Sequence, residues 1–399
     1  MRSDAGRGSG GADPGDTVRA FRHVNGRVGG GKEQAIVRKK ALWTLGLVAV
    51  GLLLTACAPN ATQDTLKPVG EVAKQQKALF VPVFWVAVGV FVVVQGGIVF
   101  IALRYRHRKG HERMPKQTHG NTRLEIGWTI APAVVLAVVT VPTISLLWEL
   151  ARPPAADALN ITVEGYQWWW GFVYPDDEMT TEWDAPITTA DTLVVPTGRE
   201  IYLALESKGG AAKDANGDPD FQVIHSFWVP ELFGKQDVMP GQTNHIMFSV
   251  DTPGLYTGQC AEFCGLQHGL MKLEVVALDP ADWEAWVANQ KTEAPAPTDP
   301  LAQRGRELFL NPLSEGRGSC TACHAVGSEP GGAAAPNLTH FADPSHTCFA
   351  GCNWSTDDRE ALARWLENPD AVKLGAKMPD YGLSGEEIEA LVAYLYTLT

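Results

Sequence analysis

The 399 residues predict a multidomain membrane protein made of a two-helix transmembrane hairpin, an all-β sandwich or barrel and a small all-α domain. Three observations predict it. Two long uncharged runs occupy the first part of the chain, and about 120 residues of short alternating runs with turn signals follow them. The last hundred residues or so then show helical periodicity behind a Pro- and Ala-containing linker. Charge divides the same way: up to Leu150 there are 19 Lys/Arg against 9 Asp/Glu, and beyond it 14 against 36, so a net −12 splits into +10 and −22. Halves of opposite sign are expected to face different surroundings.

Residues 1–56 read as a polar, glycine-rich N-terminus, disordered or upstream of the true start, followed by an export signal. Arg38, Lys39 and Lys40 precede a 16-residue apolar run ending Leu54-Thr55-Ala56-Cys57. That run is short for a membrane span but suits a signal-peptide core. Its Leu-Thr-Ala-Cys ending resembles a bacterial lipobox, which implies cleavage and lipidation at Cys57. An ordinary signal peptide or a short uncleaved anchor with an incidental cysteine is the plainer alternative. Residues 57–77 then form an outer N-terminal segment.

The hairpin is assigned to 78–150, with helices over about 78–103 and 126–149. Ala78 to Leu103 has no charged residue in 26 positions and Ile126 to Trp148 none in 23, each enough to cross roughly 30 Å of hydrocarbon. Pro132 and Pro142 are tolerable where neighbouring helices satisfy the freed carbonyls, so the pair is expected to pack against another membrane protein. Between the helices, "RYRHRKGHERMPKQTHGNTR" carries seven Lys/Arg and one Glu. The positive-inside rule puts that loop in the cytoplasm and everything after about Leu150 outside. The expected location is thus a bacterial cytoplasmic membrane, spanned twice. Glu125 opens the second helix, where a carboxylate suits the helix N-terminus.

Residues 151–285 read as an antiparallel β-sandwich or barrel, from runs such as "LNITVEGYQWWW", "TLVVPTGREIYLAL", "FQVIHSFWVP" and "MKLEVVAL". Pro253-Gly254 and Thr257-Gly258 mark turns leading into "CAEFCGLQHGLM", Cys260 to Met271. Exported cysteine pairs are disulfides by default, and Cys-x3-Cys beside a His can be half a zinc site. Neither reading uses Met271. Two thiolates, imidazole and thioether form a soft set that favours copper, as in trigonal electron-transfer sites with a weak axial Met. His225 is the best candidate for a second imidazole, and His245 reads as an ordinary strand residue.

"HGNTRLEIGWTIAP", "EGYQWWWGFVYPD", "IHSFWVPEL" and "PGLYTGQCAEFCGLQHGLM" together resemble subunit II of haem–copper cytochrome c oxidases, over about residues 70–285. The resemblance implies a dinuclear CuA centre in a cupredoxin-like domain. Cys260 and Cys264 would bridge two coppers, His225 and His268 would be terminal ligands, and Met271 and the Glu262 carbonyl weak axial ones. The Glu262 side chain would be free for a Mg2+ at the interface with subunit I. Among Trp168, Trp169 and Trp170, Trp168 matches the position through which electrons enter; packing at the membrane surface is the alternative for the tract. Glu125, in "LEIGWT", resembles the mouth of a proton path, against a plain helix-start charge. A departure from the family is Gly209 to Phe221, where Asp214, Asn216, Asp218 and Asp220 alternate. It fails the EF-hand pattern and reads as a solvated turn.

After a linker at 286–300, residues 301–399 are expected to form an all-α class I cytochrome c domain. "CTACH" is the c-type haem attachment signature, with Cys320 and Cys323 forming thioethers and His324 binding iron. Met378 is the only methionine after Met271 and precedes a final helix; His/Met ligation raises haem potential. His340 and His346 are the weaker alternatives. Ser384 and Glu387 form a capping box ahead of Ile388, Leu391, Val392 and Leu395. Cys348 and Cys352 are expected to form a disulfide in an inserted loop, with a copper-binding pair or free thiols as alternatives.

A haem c domain fused behind CuA resembles the caa-type oxidases. What this implies is an electron-transfer subunit of a proton-pumping terminal oxidase, carrying electrons from a cytochrome c or quinol-oxidising complex through haem c and CuA to subunit I, where O2 is reduced. The chain itself holds no catalytic residue at oxygen. Expected partners are subunit I, other oxidase subunits and membrane lipid. The acidic outer half could attract a basic cytochrome, and no nucleic-acid partner is expected. The rival readings are the CuA-bearing subunit of a nitric oxide reductase and a copper-delivery assembly protein, the latter requiring a thioredoxin-like βαβ pattern.

Overall fold

The computed structural model describes residues 40, 41, 43–48, 50, 51, 61–106, 117, 119–174, 179–209 and 222–399. The chain divides into two units, Met1–Ala61 and Thr62–Thr399. Of the first, the described part is helical within 40–51. Cys57 and the turn holding Asp214, Asn216, Asp218 and Asp220 lie outside the described residues.

The second unit opens with two long helices, α1 (Glu71–Arg104) and α2 (Thr122–Leu150), both long and apolar enough to cross a membrane. Each extends beyond its uncharged run. Good helix formers such as Lys74, Gln75, Gln76 and Lys77 continue α1 toward its N-terminus, where the Val69 and Gly70 amides donate to the Glu231 carbonyl at 2.8 and 3.0 Å. The Asn121 side chain caps α2, accepting from the Arg123 and Leu124 amides at 3.2 and 3.3 Å. Ala73 is the one buried residue of α1, and α2 has none. Most of their large apolar side chains are exposed.

The β domain is a sandwich of two five-stranded sheets. One runs in the order β3 (Ile187–Ala190), β2 (Trp169–Tyr174), β1 (Leu159–Tyr166), β5 (Ile201–Ser207) and β8 (Asn244–Phe248). The other runs β4 (Thr192–Pro196), β10 (Lys272–Leu278), β9 (Gly254–Cys260), β6 (His225–Trp228) and β7 (Gln236–Val238). Period-two alternation sends Leu159, Ile161 and Val163 of β1 and Leu273, Val275 and Ala277 of β10 into the shared core. The sheets are mixed, where the sequence predicts antiparallel ones: β1 pairs with β5, and β10 with β4, in parallel. Alternation reports which face is buried but not which way the neighbour runs, and the chain crosses between sheets from β4 to β5.

Helix α3 (Pro280–Gln290) closes the domain, with Trp283 and Trp286 buried and packed near Tyr174. The expected 285/286 boundary therefore falls inside a helix whose two tryptophans belong to the sandwich. The haem-type domain follows, with α4 (Pro300–Leu310), β11 (Cys348–Phe349), β12 (Trp354–Ser355), α5 (Arg359–Glu367), α6 (Pro369–Val372) and α7 (Gly385–Leu395). Helices α4 and α7 meet at Gly305, where an added Cβ would stand 1.9 Å from the Ala390 carbonyl oxygen. Only hydrogen lets the two backbones approach so closely. The Ser384/Glu387 capping box is formed.

Candidate metal centre and haem cavity

The first cluster is assembled by the β9–β10 connection. Cys260 ends β9 and its amide donates to the Met271 carbonyl at 2.9 Å, so the two are cross-strand neighbours at the neck of a loop that carries the remaining donors. Strand β6 lies beside β9, with Phe227 opposite Cys260, which brings in His225 from 35 residues upstream. His268 stands on a single 3-10 turn, His268–Leu270. Gly265, at φ +116°, turns the loop against Trp168, where an added Cβ would be strained and would lie 3.1 Å from the indole ring.

The sulfurs of Cys260 and Cys264 are 3.7 Å apart and both thiols are free, so the disulfide alternative fails for this pair. His225 Nδ1 lies 3.9 Å from Cys260 Sγ and His268 Nδ1 3.7 Å from Cys264 Sγ. Met271 Sδ is 3.7 Å from Cys264 Sγ, and the Glu262 carbonyl oxygen 3.2 Å from Cys260 Sγ. Two sulfurs thus form the centre, with one imidazole on each side and a weak donor beside each. Contact with Cys264 draws the Cys260 thiol down, while the same contact pushes the Cys264 thiol up, so Cys260 is the sulfur that presents thiolate, the form that binds metal, most readily. His225 is fully buried and its Nε2 has no partner, so the nitrogen facing the sulfurs is its Nδ1. The set fits copper. Glu262 is exposed, its carboxylate accepting from the Phe263 amide at 3.3 Å, and His245 is an ordinary β8 residue stacked on Tyr202.

In the second cluster, Cys320 and Cys323 flank a 3-10 turn (Cys320–Ala322), and with His324 and Met378 they line one apolar cavity. His324 Nδ1–H donates to the Pro336 carbonyl at 2.7 Å, which leaves Nε2 for a metal. Burial holds this imidazole below its usual pKa and so unprotonated at neutral pH. His340 bonds the Thr399 and Thr292 carbonyls through its two nitrogens, and His346 is tied to the Phe341 carbonyl and the Ala190 backbone. Met378 is left as the uncommitted soft donor. The residues fit a haem with His/Met ligation.

The tryptophan tract parts three ways. Trp170 is fully buried against His225 and Phe227, and Trp169 stacks on Tyr166 at 4.2 Å. Trp168 is 7 % exposed, donates its indole N–H to the Cys264 carbonyl at 3.0 Å, and also lines the haem cavity. Cys348 and Cys352 form a disulfide in the β11–β12 hairpin. Glu125 lies exposed in the first turn of α2. Sequence reasoning missed Asp191 and Lys373, both buried where the two domains meet; 182 residues apart, they carry no local pattern that would link them.

A β-sandwich with a soft copper-type donor set, joined to a haem cavity and to two membrane-length helices, defines a tethered two-centre electron carrier. Family profiles agree with each part: "Cytochrome C oxidase subunit II, periplasmic domain" matches residues 159–278, "Cytochrome C oxidase subunit II, transmembrane domain" 63–146, and "Cytochrome c" 302–399. Cytochrome c oxidase subunit 2 of Alkalihalophilus pseudofirmus is 35% identical over 366 residues, covering 90% of this chain and 98% of its own. Those of Bacillus sp. strain PS3 and Bacillus subtilis are 35% and 32% identical, each covering 88% of this chain and 95% of their own. The chain belongs to the cytochrome c oxidase subunit 2 family, in the form that carries a C-terminal cytochrome c domain. It is an electron-transfer subunit of a terminal oxidase, an oxidoreductase whose subunit I it joins in the membrane, and its two domains imply copper and haem. The thioredoxin-like βαβ unit required of a copper-delivery protein is absent among the described residues.

Proposed function

We propose that this subunit passes electrons from a cytochrome c or quinol-oxidising donor to haem c, then to CuA, then to subunit I, where O2 is reduced with proton pumping. The observation that carries the reading is Trp168, which bonds the carbonyl of a copper-loop cysteine while lining the haem cavity. Cys320 and Cys323 would attach the haem, and His324 and Met378 would hold its iron. Cys260, Cys264, His225 and His268 would hold the copper, with Met271 and the Glu262 carbonyl as the weaker donors beside them. Copper held by these thiolates would supply one-electron transfer with little bond rearrangement. The chain's own part is to fix these donors, with His225, Cys260, Cys264 and Met271 buried, so that little solvent reorganises with each transfer.

The exposed Glu262 carboxylate is free to hold Mg2+ against subunit I. Trp168 conducts electrons toward Cys264, and Glu125 opens a proton path from the cytoplasmic end of α2. The hairpin spans the membrane twice with its basic loop inside, and Cys57 carries a lipid after cleavage of a signal peptide. Separate loss of each centre tests the assignment. In the assembled oxidase, Cys264→Ser is expected to abolish steady-state oxygen consumption while external donor still reduces haem c. Met378→Leu is expected to keep the haem attached, lose the Met–iron absorption band and lower the haem potential. Oxygen consumption surviving Cys264→Ser, or an unchanged haem spectrum in Met378→Leu, contradicts the ligand assignment.

A further inference from the structure

One peptide group of the inserted hairpin is held from both sides by buried charges. The Ala350 carbonyl accepts from Lys373 Nζ at 2.8 Å, and the Gly351 amide of the same peptide donates to Asp191 Oδ2 at 2.6 Å. Each charge has a second bond, into the tryptophan tract. Lys373 Nζ donates to the Trp168 carbonyl at 2.7 Å, and Asp191 Oδ1 accepts from the Trp170 amide at 3.0 Å. Lys373 and Asp191 are 4 % and 2 % exposed. Groups so buried retain charge only where charge and hydrogen bonds surround them. Burial, held back in each by the charge of the other, leaves Asp191 raised to about 6 and Lys373 lowered to about 8.

The hairpin is shaped to present that peptide. The Cys348–Cys352 disulfide closes it, and Ala350, Gly351 and Cys352 adopt positive φ in succession, at 55°, 75° and 51°. At Gly351 a Cβ would lie 2.5 Å from Lys373 Nζ, 2.6 Å from the Leu270 carbonyl oxygen and 2.9 Å from that of Trp168. The same tip meets the copper loop, with Lys272 N–H donating to the Gly351 carbonyl at 3.0 Å and Asn353 Nδ2 to that of Leu270 at 2.6 Å.

We infer that Asp191, Lys373 and the disulfide-closed tip form a clamp that locks the cytochrome domain on the copper domain in one pose, with Trp168 as their shared wall. They are positioning residues, and the inference rests on the assignment of haem and copper to the two sites. A tether alone gives a high local concentration, within which the donor still searches for its pose; a buried clamp removes the search. Buried charges are also weakly screened, so transfer from haem to copper is insensitive to salt.

The test uses the full chain assembled with its oxidase partners, as wild type, Lys373→Met and Asp191→Asn. Optical and EPR spectra first establish both centres. Flash-induced haem-to-copper electron transfer is then followed at low and high salt, and pulsed EPR gives the haem–copper distance distribution. The clamp predicts a narrow distribution and a salt-independent rate in the wild type. The variants are expected to retain both spectra, broaden the distribution, and slow transfer on the order of tenfold or more, with new salt dependence. Asp191→Asn is the milder change and serves where Lys373→Met fails to assemble. Variants with both centres intact and an unchanged rate and distribution overturn the clamp. A wild type lacking either centre overturns instead the assignment beneath it.

Discussion

At His324 a single hydrogen bond decides which nitrogen is available, because the Pro336 carbonyl takes Nδ1–H and leaves Nε2 to the cavity. The sequence motif names the histidine; only the fold names the atom. The same holds for His225, whose buried ring turns Nδ1 to Cys260, while the spacing of the copper loop was legible without it. Glu387 shows a residue read only in part. The capping box is visible in sequence, but its carboxylate also receives Arg317 Nη1 and Nη2 at 3.1 and 2.7 Å, across 70 residues. That bond, then the Ser384 amide, lowers the Glu387 pKa from 4.5 to about 2. A depressed carboxylate stabilises the fold above its unfolded pKa, and the contribution is lost as pH falls through its folded value. Melting of the cytochrome domain, followed by its haem band, is therefore expected to drop between about pH 4.5 and 2, and Glu387→Gln should flatten that part of the profile. An identical pH profile in the variant contradicts the coupling.

Elements were legible where burial alone shaped the pattern. The two membrane-length helices, the alternating strands and the capped α7 are all written as periodicity. Strand direction was not, since β1 and β10 bury the same alternate residues whether their neighbours run parallel or antiparallel. Nor was α3 seen as part of the sandwich: its few turns sit in a charged, Pro-flanked stretch, and their meaning lies in Trp283 and Trp286 against Tyr174. A fragment of the outer portion ending at residue 285 removes Trp286. Losing a buried tryptophan costs about 3–5 kcal/mol, so this fragment is expected to unfold at lower denaturant than one ending at 290, beyond the experimental error of the midpoint. Equal midpoints would assign α3 to the linker.

Across the whole molecule, a basic membrane half precedes an acidic outer half, and the outer half brings two donor sets to one tryptophan. Both sets could be read from spacing, since each motif is local apart from His225 and Met378. Their meeting could not, because the contact rests on Asp191, Lys373 and a tip of five residues that no periodicity marks. The proposed route rests on that meeting: a donor held beside its acceptor would conduct without waiting for a diffusive encounter. The most direct measurement is the combined optical and EPR spectrum of the full chain, produced with copper and haem maturation and purified in detergent. The account predicts c-type haem bands together with the mixed-valence, multiline signal of one electron shared by two coppers. A mononuclear copper signal, or haem without copper, would contradict it.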